Sequence, residues 1–289
     1  MTALEMAGPV EPPVLEEGDE IAPGYTVIEL LSRGSALDVY EVWSEERLCS
    51  CVAKTIRPDR VDVARVTHRL LQEGWLLREL AHPHLARAFE TVETPVPVVV
   101  LETDVGLTLE EIVDERRRRL PVPDLCHLGR QLASALHYLH QQGYVHLDVR
   151  PGNVMANGGV ATLIDLSIAR QPGRVRRGYG TQEYMAPEQA RGELVTTATD
   201  VWGLGATLFE ATTGVAPFAP LDDTERVAFA AGAFLQLERP APSVADLRAR
   251  VPRAFSDLLE SCLAPSPDDR PSIRRVHDGL GEVLEDLGH

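Results

Sequence analysis

The stretch YVHLDVRPGNVM, residues 144–155, is the part of this sequence that decides its fold. It places Asp148 and Asn153 five residues apart in a loop after a helical pattern, and the following TLIDLSIAR ends a short apolar strand at Asp165. Carboxylate and amide oxygens are hard ligands that suit Mg²⁺, which binds few protein groups and leaves positions for substrate phosphates. Each group alone is weak evidence, but their order and spacing together indicate a metal- and phosphate-binding loop.

The bulk composition is that of a globular protein with an acidic surface. Of the 289 residues, 44% are hydrophobic and 25% are charged, which is enough to build a core in one domain or two lobes. The formal net charge of −16 argues against nonspecific binding to nucleic acid or to an anionic membrane, because both need a basic surface. Solubility is the simplest consequence of this acidity.

The cysteines and the N-terminus indicate a reducing compartment. The four cysteines form no CxxC pair and are not accompanied by histidines at ligand spacing, so we expect reduced thiols rather than a zinc site. No basic residue precedes an apolar run at the N-terminus, and no stretch approaches the ~20 apolar residues that a membrane-spanning helix needs. We therefore expect a cytoplasmic chain that binds neither membrane nor nucleic acid.

Composition and periodicity divide the chain into three parts. Residues 1–20 combine six acidic residues and three prolines with no basic residue, which predicts a flexible acidic tail. Residues 21–102 contain the strand candidates YTVIELL, DVYEVW, CVAKTI and VPVVVLE, which predict a small sheet-rich lobe. Residues 103–289 turn helical, with an apolar stripe through DLCHLGRQLASALHYLHQQG and an almost wholly apolar ATDVWGLGATLFEATTG.

One long helical pattern, from about Val61 to Ala81, interrupts the strands of the small lobe. Its apolar positions recur at three and four residues, and Glu73 falls on the same inward stripe. A carboxylate that faces a core needs a cation or good hydrogen bonds. A lysine on a strand, such as Lys54, is usually solvated. A Lys54–Glu73 pair, however, would satisfy the carboxylate and hold the ammonium where a phosphate could reach it.

Together these motifs make the chain resemble the eukaryotic-like Ser/Thr protein kinases of bacteria, from about Tyr25 to the C-terminus. The most specific match is GTQEYMAPEQ at 180–189, followed by DVWGLG at 200–205 and PDDRPS at 267–272. The resemblance implies an α+β, bilobal protein-kinase fold, with a small sheet-rich N-lobe that has one long helix and a larger, mainly helical C-lobe. It also implies a structural ion pair between Glu188 and Arg270.

The resemblance implies a catalytic role for five residues. Lys54 would contact the α- and β-phosphates of ATP, and Glu73 would hold Lys54. Asp148 would accept the proton of the substrate hydroxyl, and Arg150 would keep a positive charge near the transferred phosphoryl group. Thr181 matches the threonine that orients the catalytic aspartate in Ser/Thr-directed members.

The cofactors implied are ATP and Mg²⁺. Asn153 and Asp165 would bind the metal. Val39, Ala53 and Met155 would sandwich the adenine. The remaining nucleotide positions are the loop glycine Gly34, the gatekeeper-like Leu101, and the hinge residues Glu102 and Asp104.

Several positions depart from the family's pattern. The stretch LSRGSALDVY keeps Gly34 but has Ser32 and Leu37 in place of glycines. This change predicts that ATP binds more weakly or in a different pose. DLS replaces DFG, so Ser167 lacks the flexibility of glycine. Leu147 replaces the arginine that, in the family, grips a phosphate on the activation segment.

The activation segment IARQPGRVRRGYG, residues 168–180, contains no serine or threonine. The receptor for the phosphate and its acceptor are thus missing together, which predicts a segment that is not switched by its own phosphorylation. The segment is instead basic, through Arg170, Arg174, Arg176 and Arg177. The plain interpretation is a solvated loop, and the sharper one is docking to an acidic surface, either the N-terminal tail or an acidic substrate.

Two functions stay open at this point. The first is an ATP- and Mg²⁺-dependent Ser/Thr protein kinase, constitutive or controlled by a partner, with a protein substrate that the sequence does not identify. The second is a pseudokinase, a binding module favoured by Ser32, Leu37, Leu147 and Ser167. A small-molecule phosphotransferase fits less well, because MAPE and DVWGLG belong to kinases of protein substrates.

Overall fold

The structure is a computed structural model that describes residues 12–93, 95–103, 106–116 and 119–288. The chain divides into two compact units. The smaller consists of Met1–Glu79 with Arg87–Thr103, and the larger of Leu80–Ala86 with Asp104–His289.

The small unit is built on an antiparallel sheet with the strand order β1-β2-β3-β4-β6-β5. Its strands are β1 (Glu20–Ala22), β2 (Tyr25–Arg33), β3 (Leu37–Ser44), β4 (Cys49–Ile56), β5 (Ala88–Val92) and β6 (Val98–Leu101). The four predicted strands are β2, β3, β4 and β6. The stretch AFETV of β5 lacks a clear strand pattern, and its pairing with the apolar β6 is what makes it a strand.

One face of this sheet carries a core and the other carries a helix. Side chains alternate along β3 and β4, so Tyr40 and Ala53 point into the same apolar cluster. Helix α1 (Ala64–Glu79) lies within the predicted range 61–81 and packs on the opposite face. The approach is close, because a Cβ at Gly74 would lie 2.8 Å from Val99 Cγ2.

Residues 12–19 lie within the predicted tail and hydrogen-bond to the small sheet. Gly18 N donates to Val27 O at 2.9 Å, and the guanidinium of Arg33 donates to Pro12 O at 2.8 Å. Residues 1–11 lie outside the described residues, so the flexible acidic tail stays a prediction there.

The large unit is mainly helical. Its helices are α2 (Leu109–Arg116), α3 (Val122–Gln141), α4 (Pro187–Arg191), α5 (Thr197–Thr213), α6 (Asp223–Ala230), α7 (Val244–Leu247), α8 (Arg253–Cys262) and α9 (Ile273–Asp286). Its short strands are β7 (Leu107–Thr108), β8 (Val154–Asn157) and β9 (Val160–Leu163) in one sheet, and β10 (Gly173–Arg174) with β11 (Leu194–Val195) in another.

Helix α5 forms the centre of the large unit's core. It is buried along almost its whole length and includes the fully buried Trp202 and Phe209. It begins at the capping residue Thr196 and ends at Gly214, whose φ of +83° favours glycine. The apolar stripe predicted for α3 is buried as well, so both helices confirm the sequence analysis. Within the described ranges, no helix is long and apolar enough to cross a membrane.

Candidate active site

Lys54 and Glu73 form a buried ion pair in the small unit. Lys54 Nζ lies 2.7 Å from Glu73 Oε1, and only 11% and 0% of the two side chains are exposed. The close packing of α1 at Gly74 brings the glutamate within reach of β4. Lys54 is also the only lysine in the chain, since every other cationic side chain is an arginine.

The neighbours of Lys54 on its face of the sheet correct one sequence prediction. Lys54 pairs with Val39 of β3 and Val99 of β6, so Val39 shares its face. Ala53 points to the other face, into the cluster that contains Tyr40, and is fully buried there. The prediction that Ala53 contacts the adenine beside Val39 is therefore wrong, because side chains alternate along a strand. Val52 is half-buried and lies on the same face of β4 as Lys54.

The loop at Gly34 is a closed hairpin. Gly34 N donates to Leu37 O at 2.8 Å, and the Arg57 guanidinium donates to Gly34 O at 2.9 Å. Leu37 begins β3 and pairs with Ile56, so it is accommodated as an ordinary strand residue. Strand pairing therefore accommodates Leu37 at a position where the family has a glycine.

The other predicted nucleotide contacts lie near strand ends. In the small unit Leu101 is buried at the end of β6, and Glu102 N donates to Arg87 O at 2.9 Å. Met155 is half-buried on β8 of the large unit. Asp104 lies outside the described residues.

In the large unit, three hydrogen bonds to two residues orient the Asp148 carboxylate. Thr181 donates to Oδ1 through its hydroxyl at 2.7 Å and through its backbone N–H at 3.1 Å. Asn153 Nδ2 donates to Oδ2 at 3.1 Å and to the backbone oxygen of Asp148 at 2.9 Å. The carboxylate is therefore held from both sides, as an oriented proton acceptor requires.

Asn153 and Asp165 present oxygen atoms on two linked segments. Because Asn153 Nδ2 is turned to Asp148, its amide oxygen points away from that carboxylate. Asp165 adopts the left-handed φ of +66° and accepts from Ser167 N at 3.0 Å. Ile164 N donates to Asn153 O at 2.9 Å, which ties the two segments together. A carboxylate and an amide oxygen are ligands that fit Mg²⁺.

Arg150 lies beside the same loop. Its Nε is 3.8 Å from Asp148 Oδ2, and its Nη1 is 3.6 Å from Glu110 Oε2. The predicted positive charge is therefore present next to Asp148.

Asp200 of α5 anchors the loop, and the sequence analysis did not identify it. Its Oδ1 accepts from Leu147 N at 2.8 Å, while Oδ2 accepts from His146 N at 2.9 Å and His140 Nε2 at 2.7 Å. Burial alone would raise the pKa of Asp200. The hydrogen bond from His140 and the backbone N–H of Leu147 outweigh burial, so the pKa of Asp200 is lowered. Asp200 could have been identified from the sequence, because it is a carboxylate inside an almost wholly apolar helical pattern.

Leu147 connects the loop to the activation segment through apolar contacts. It is 4% exposed and clusters with Val145, Val175 and Val195. Its φ is +68°, a conformation that costs an L-residue roughly 1–2 kcal/mol. Gln189 Nε2 donates to Leu147 O at 2.8 Å and so fixes the backbone on the other side. Where the family has an arginine, this chain has a buried apolar contact.

The activation segment is bonded along its length to neighbouring backbone. Arg170 N donates to Val145 O at 3.0 Å, and Arg170 O accepts from Val145 N at 2.8 Å. Farther on, β10 pairs with β11, Val175 N donates to Glu193 O at 3.1 Å, and Gly178 N donates to Gln189 O at 2.9 Å. The segment therefore has a defined path up to Thr181.

The predicted Glu188–Arg270 ion pair is present. The two guanidinium nitrogens donate to the two carboxylate oxygens at 2.8 Å and 2.9 Å, and both side chains are buried. The Arg270 guanidinium also lies 5.0 Å from the ring centroid of Trp202. This pair joins α4, at the end of the activation segment, to the region that precedes α9.

Comparisons with known proteins agree with this geometry. The family model described as "Protein kinase domain" matches residues 25–279. The serine/threonine-protein kinase PkaA of Streptomyces coelicolor is 34% identical over 245 residues, which are 81% of this chain and 43% of that protein. PknD of Mycobacterium tuberculosis is 31% identical over 265 residues, or 89% of this chain and 39% of that protein. The chain thus spans about two fifths of the length of these relatives.

A solved structure confirms the fold class. The crystal structure of the Mycobacterium tuberculosis PknI kinase domain matches with a TM-score of 0.71 and 25% sequence identity. The match covers 93% of this chain and 99% of that one. The predicted α+β protein-kinase fold, with a sheet-rich part and a larger helical part, is therefore confirmed.

Proposed function

Because the chain belongs to the protein kinase domain family, we propose that it transfers the γ-phosphoryl group of ATP to a serine or threonine hydroxyl of a protein, with Mg²⁺ as the metal. The observation that carries this proposal is the orientation of Asp148 by Thr181 and Asn153. A carboxylate held in this way can accept the proton of an attacking hydroxyl. It favours catalysis over the pseudokinase hypothesis, because a scaffold has no use for an oriented proton acceptor.

The proposal assigns the remaining groups to phosphate and metal. Lys54, held by Glu73, contacts the α- and β-phosphates. Asn153 and Asp165 hold Mg²⁺, which when bound supplies positive charge that offsets the charge of the phosphates. Arg150 keeps a cation next to Asp148, where the hydroxyl approaches.

The nucleotide contacts follow the corrected strand geometry. Val39 and Val52 line the face of β3 and β4 that carries Lys54. The other proposed contacts are Gly34, Leu101, Glu102, Asp104 and Met155.

The proposal includes control that does not depend on phosphorylation of the activation segment. Support comes from Leu147, which packs on Val175 and Val195 in place of an arginine that would need a phosphate partner. Backbone hydrogen bonds already order the segment, so a phosphate is not required to order it. The protein substrate would meet a basic segment, on which either an acidic surface or the N-terminal tail could dock.

A phosphoryl-transfer assay tests the activity. The purified protein is incubated with radiolabelled ATP, Mg²⁺ and a generic protein substrate, beside Asp148→Asn and Lys54→Met. Asp246→Asn, at an exposed position of α7, is the matched control. We expect incorporation by the wild type and the control, and a loss of about 10²-fold or more in both site variants. Absence of incorporation with any divalent metal would refute the kinase and support the pseudokinase.

The single lysine allows a second test that does not depend on turnover. An amine-reactive acyl-phosphate analogue of ATP is expected to acylate Lys54, and ATP with Mg²⁺ is expected to protect it. Mass spectrometry measures the acylation of this one side chain. The α-amino group of the purified chain is the reference, because ATP is not expected to protect it. Equal labelling of Lys54 with and without ATP would exclude the proposed phosphate contact.

A further inference from the structure

We propose that three arginines of the activation segment bind acidic residues that flank the phosphoacceptor of the protein substrate. These residues, Arg174, Arg176 and Arg177, are called the arginine surface below. The inference rests on the proposed kinase activity and names the class of substrate, a protein segment rich in Asp or Glu around its Ser or Thr.

The arginine surface is carried on ordered backbone. Arg174 lies on β10 opposite Leu194, and Val175 next to it is buried in the cluster with Leu147. The bond from Gly178 N to Gln189 O closes the other end. With Val175 pointing inward, the three arginines are exposed. Little backbone entropy is therefore lost when they bind a partner.

No ion pair joins these three arginines to a carboxylate within the part of the chain that the structure describes. Two other exposed arginines of the large unit do have a carboxylate partner, since Arg226 lies 2.7 Å from Asp223 and Arg275 lies 2.6 Å from Glu282. Carboxylates are abundant, with 44 Asp and Glu against 28 Lys and Arg. Neighbouring cations without a carboxylate on such a chain indicate that their partner is another molecule.

Aromatic rings support two of the guanidinium groups. The Arg176 guanidinium lies 5.8 Å from the ring centroid of Tyr179, and that of Arg177 lies 5.2 Å from the ring centroid of Phe234. A guanidinium that lies over a ring keeps its N–H edges available, and these edges match a carboxylate in a bidentate geometry. The rings thus leave the N–H edges of Arg176 and Arg177 free to bind the carboxylates of Asp and Glu side chains.

The arginine surface is close to the proposed catalytic carboxylate along the chain. Thr181, which hydrogen-bonds to Asp148, follows Arg177 by four residues. Four residues span at most roughly 14 Å when fully extended. A substrate whose hydroxyl reaches Asp148 therefore places residues within a few positions of the acceptor against these arginines.

The charge of the whole chain explains why such a surface is needed. A net charge of −16 repels an acidic substrate. Charges beyond ~8–10 Å are largely screened at physiological salt, so a local cluster decides whether an acidic segment can bind. Binding should accordingly weaken as salt is raised.

Peptide binding tests the arginine surface without catalysis. The probe is a fluorescein-labelled peptide with one Thr flanked by Glu, compared with the same peptide carrying Gln, and anisotropy is measured without ATP. We expect the wild type to bind the Glu peptide about tenfold more tightly, the combined effect of three surface ion pairs. The triple variant Arg174→Gln, Arg176→Gln, Arg177→Gln should bring the ratio close to one.

The control is a triple variant with the same change of charge elsewhere on the large unit, Arg226→Gln, Arg253→Gln, Arg275→Gln. It should keep most of the preference. Equal losses in the two triple variants would overturn the inference in favour of a general charge effect. A wild type without preference for Glu would overturn it as well, and so would tighter binding of a peptide of residues 1–20, which would assign the surface to the tail.

Kinetics separate this inference from the proposed activity. With the Glu peptide as substrate, the arginine-surface variant should raise KM more than it lowers kcat, because these side chains bind rather than react. A wild type that phosphorylates no substrate would refute the kinase, whereas the anisotropy ratio still decides the arginine surface. A kinase that is active on both peptides with equal KM would refute the arginine surface and leave the kinase intact.

Discussion

Leu147 is the position where one substitution best tests how this activation segment is held. Leu147→Ala removes three carbons from the cluster with Val145, Val175 and Val195. Both residues carry a Cβ, so the cost of the left-handed φ of +68° stays nearly the same. The difference between the two proteins therefore reports the packing alone.

The expected magnitude follows from the burial. Three buried carbons at ~0.8 kcal/mol each contribute about 2.4 kcal/mol, and the cavity brings measured Leu→Ala changes to about 2.7–5.0 kcal/mol. Leu147 is only 4% exposed, so nearly the full transfer contribution applies. Val175 and Val195 lie at the short pair β10–β11 and can partly close the space. We expect the lower end, about 3 kcal/mol of unfolding free energy.

Tryptophan fluorescence can report this change for the large unit by itself. The chain has three tryptophans, and Trp43 and Trp75 of the small unit are exposed by 41% and 52%. Replacing both by Phe leaves Trp202, which is 1% exposed and lies in the core of the large unit. A urea titration in this background gives the midpoint and slope of unfolding. Leu147→Met conserves volume and should cost less than about 1.5 kcal/mol.

Two results would refute the reasoning. One is a Leu147→Ala protein within about 1 kcal/mol of the parent at unchanged slope, a cost below that of a buried leucine. The other is a Leu147→Met protein as unstable as Leu147→Ala. Either would show that Leu147 fills its position without holding the segment. If the packing does hold the segment, phosphoryl transfer should fall in the same order, since Thr181 lies at its end.

Further predictions concern the half-buried Glu210 and the buried Glu188. Burial raises the pKa of Glu210 from 4.5 to about 7, so the folded state retains a proton that the unfolded state releases, and stability should fall as pH rises from about 5 to 8. Glu210→Gln should flatten this dependence and gain about 3 kcal/mol at pH 8 in urea titrations, and a parallel pH profile in both proteins would contradict it. Arg270→Leu leaves Glu188 charged and buried, so we expect a loss of about 3–5 kcal/mol. The double variant with Glu188→Leu should recover part of that loss, and no recovery would argue against the ion pair as the cause.

Local patterns were enough to predict most elements and several contacts. The three-and-four periodicity placed Glu73 on the inward face of α1, and the need of a buried carboxylate for a cation pointed to Lys54. The same kind of pattern located α3 and α5. Ala53 shows the limit of motif matching, because a shift of one residue along a strand moves a side chain to the other face.

Other features depend on which segments meet in space. The sequence records that Leu147 is not an arginine, but its partners Val175 and Val195 come from a segment that packs on it only in the folded chain. Asp200 likewise looks like an isolated carboxylate until the loop at His146 and Leu147 is placed above it. The buried Asp200 carboxylate needs hydrogen-bond donors, and the buried backbone N–H groups of His146 and Leu147 need an acceptor.

The sequence by itself determined which chemical groups the protein has and in what order, because periodicity, caps and motifs are properties of neighbouring residues. Only the tertiary structure decided which buried polar groups bond to each other. Thr181 and Asp148 are 33 residues apart, and His140 and Asp200 are 60 apart. Each of these contacts forms because a polar atom removed from water must find a partner wherever the packed core brings one near.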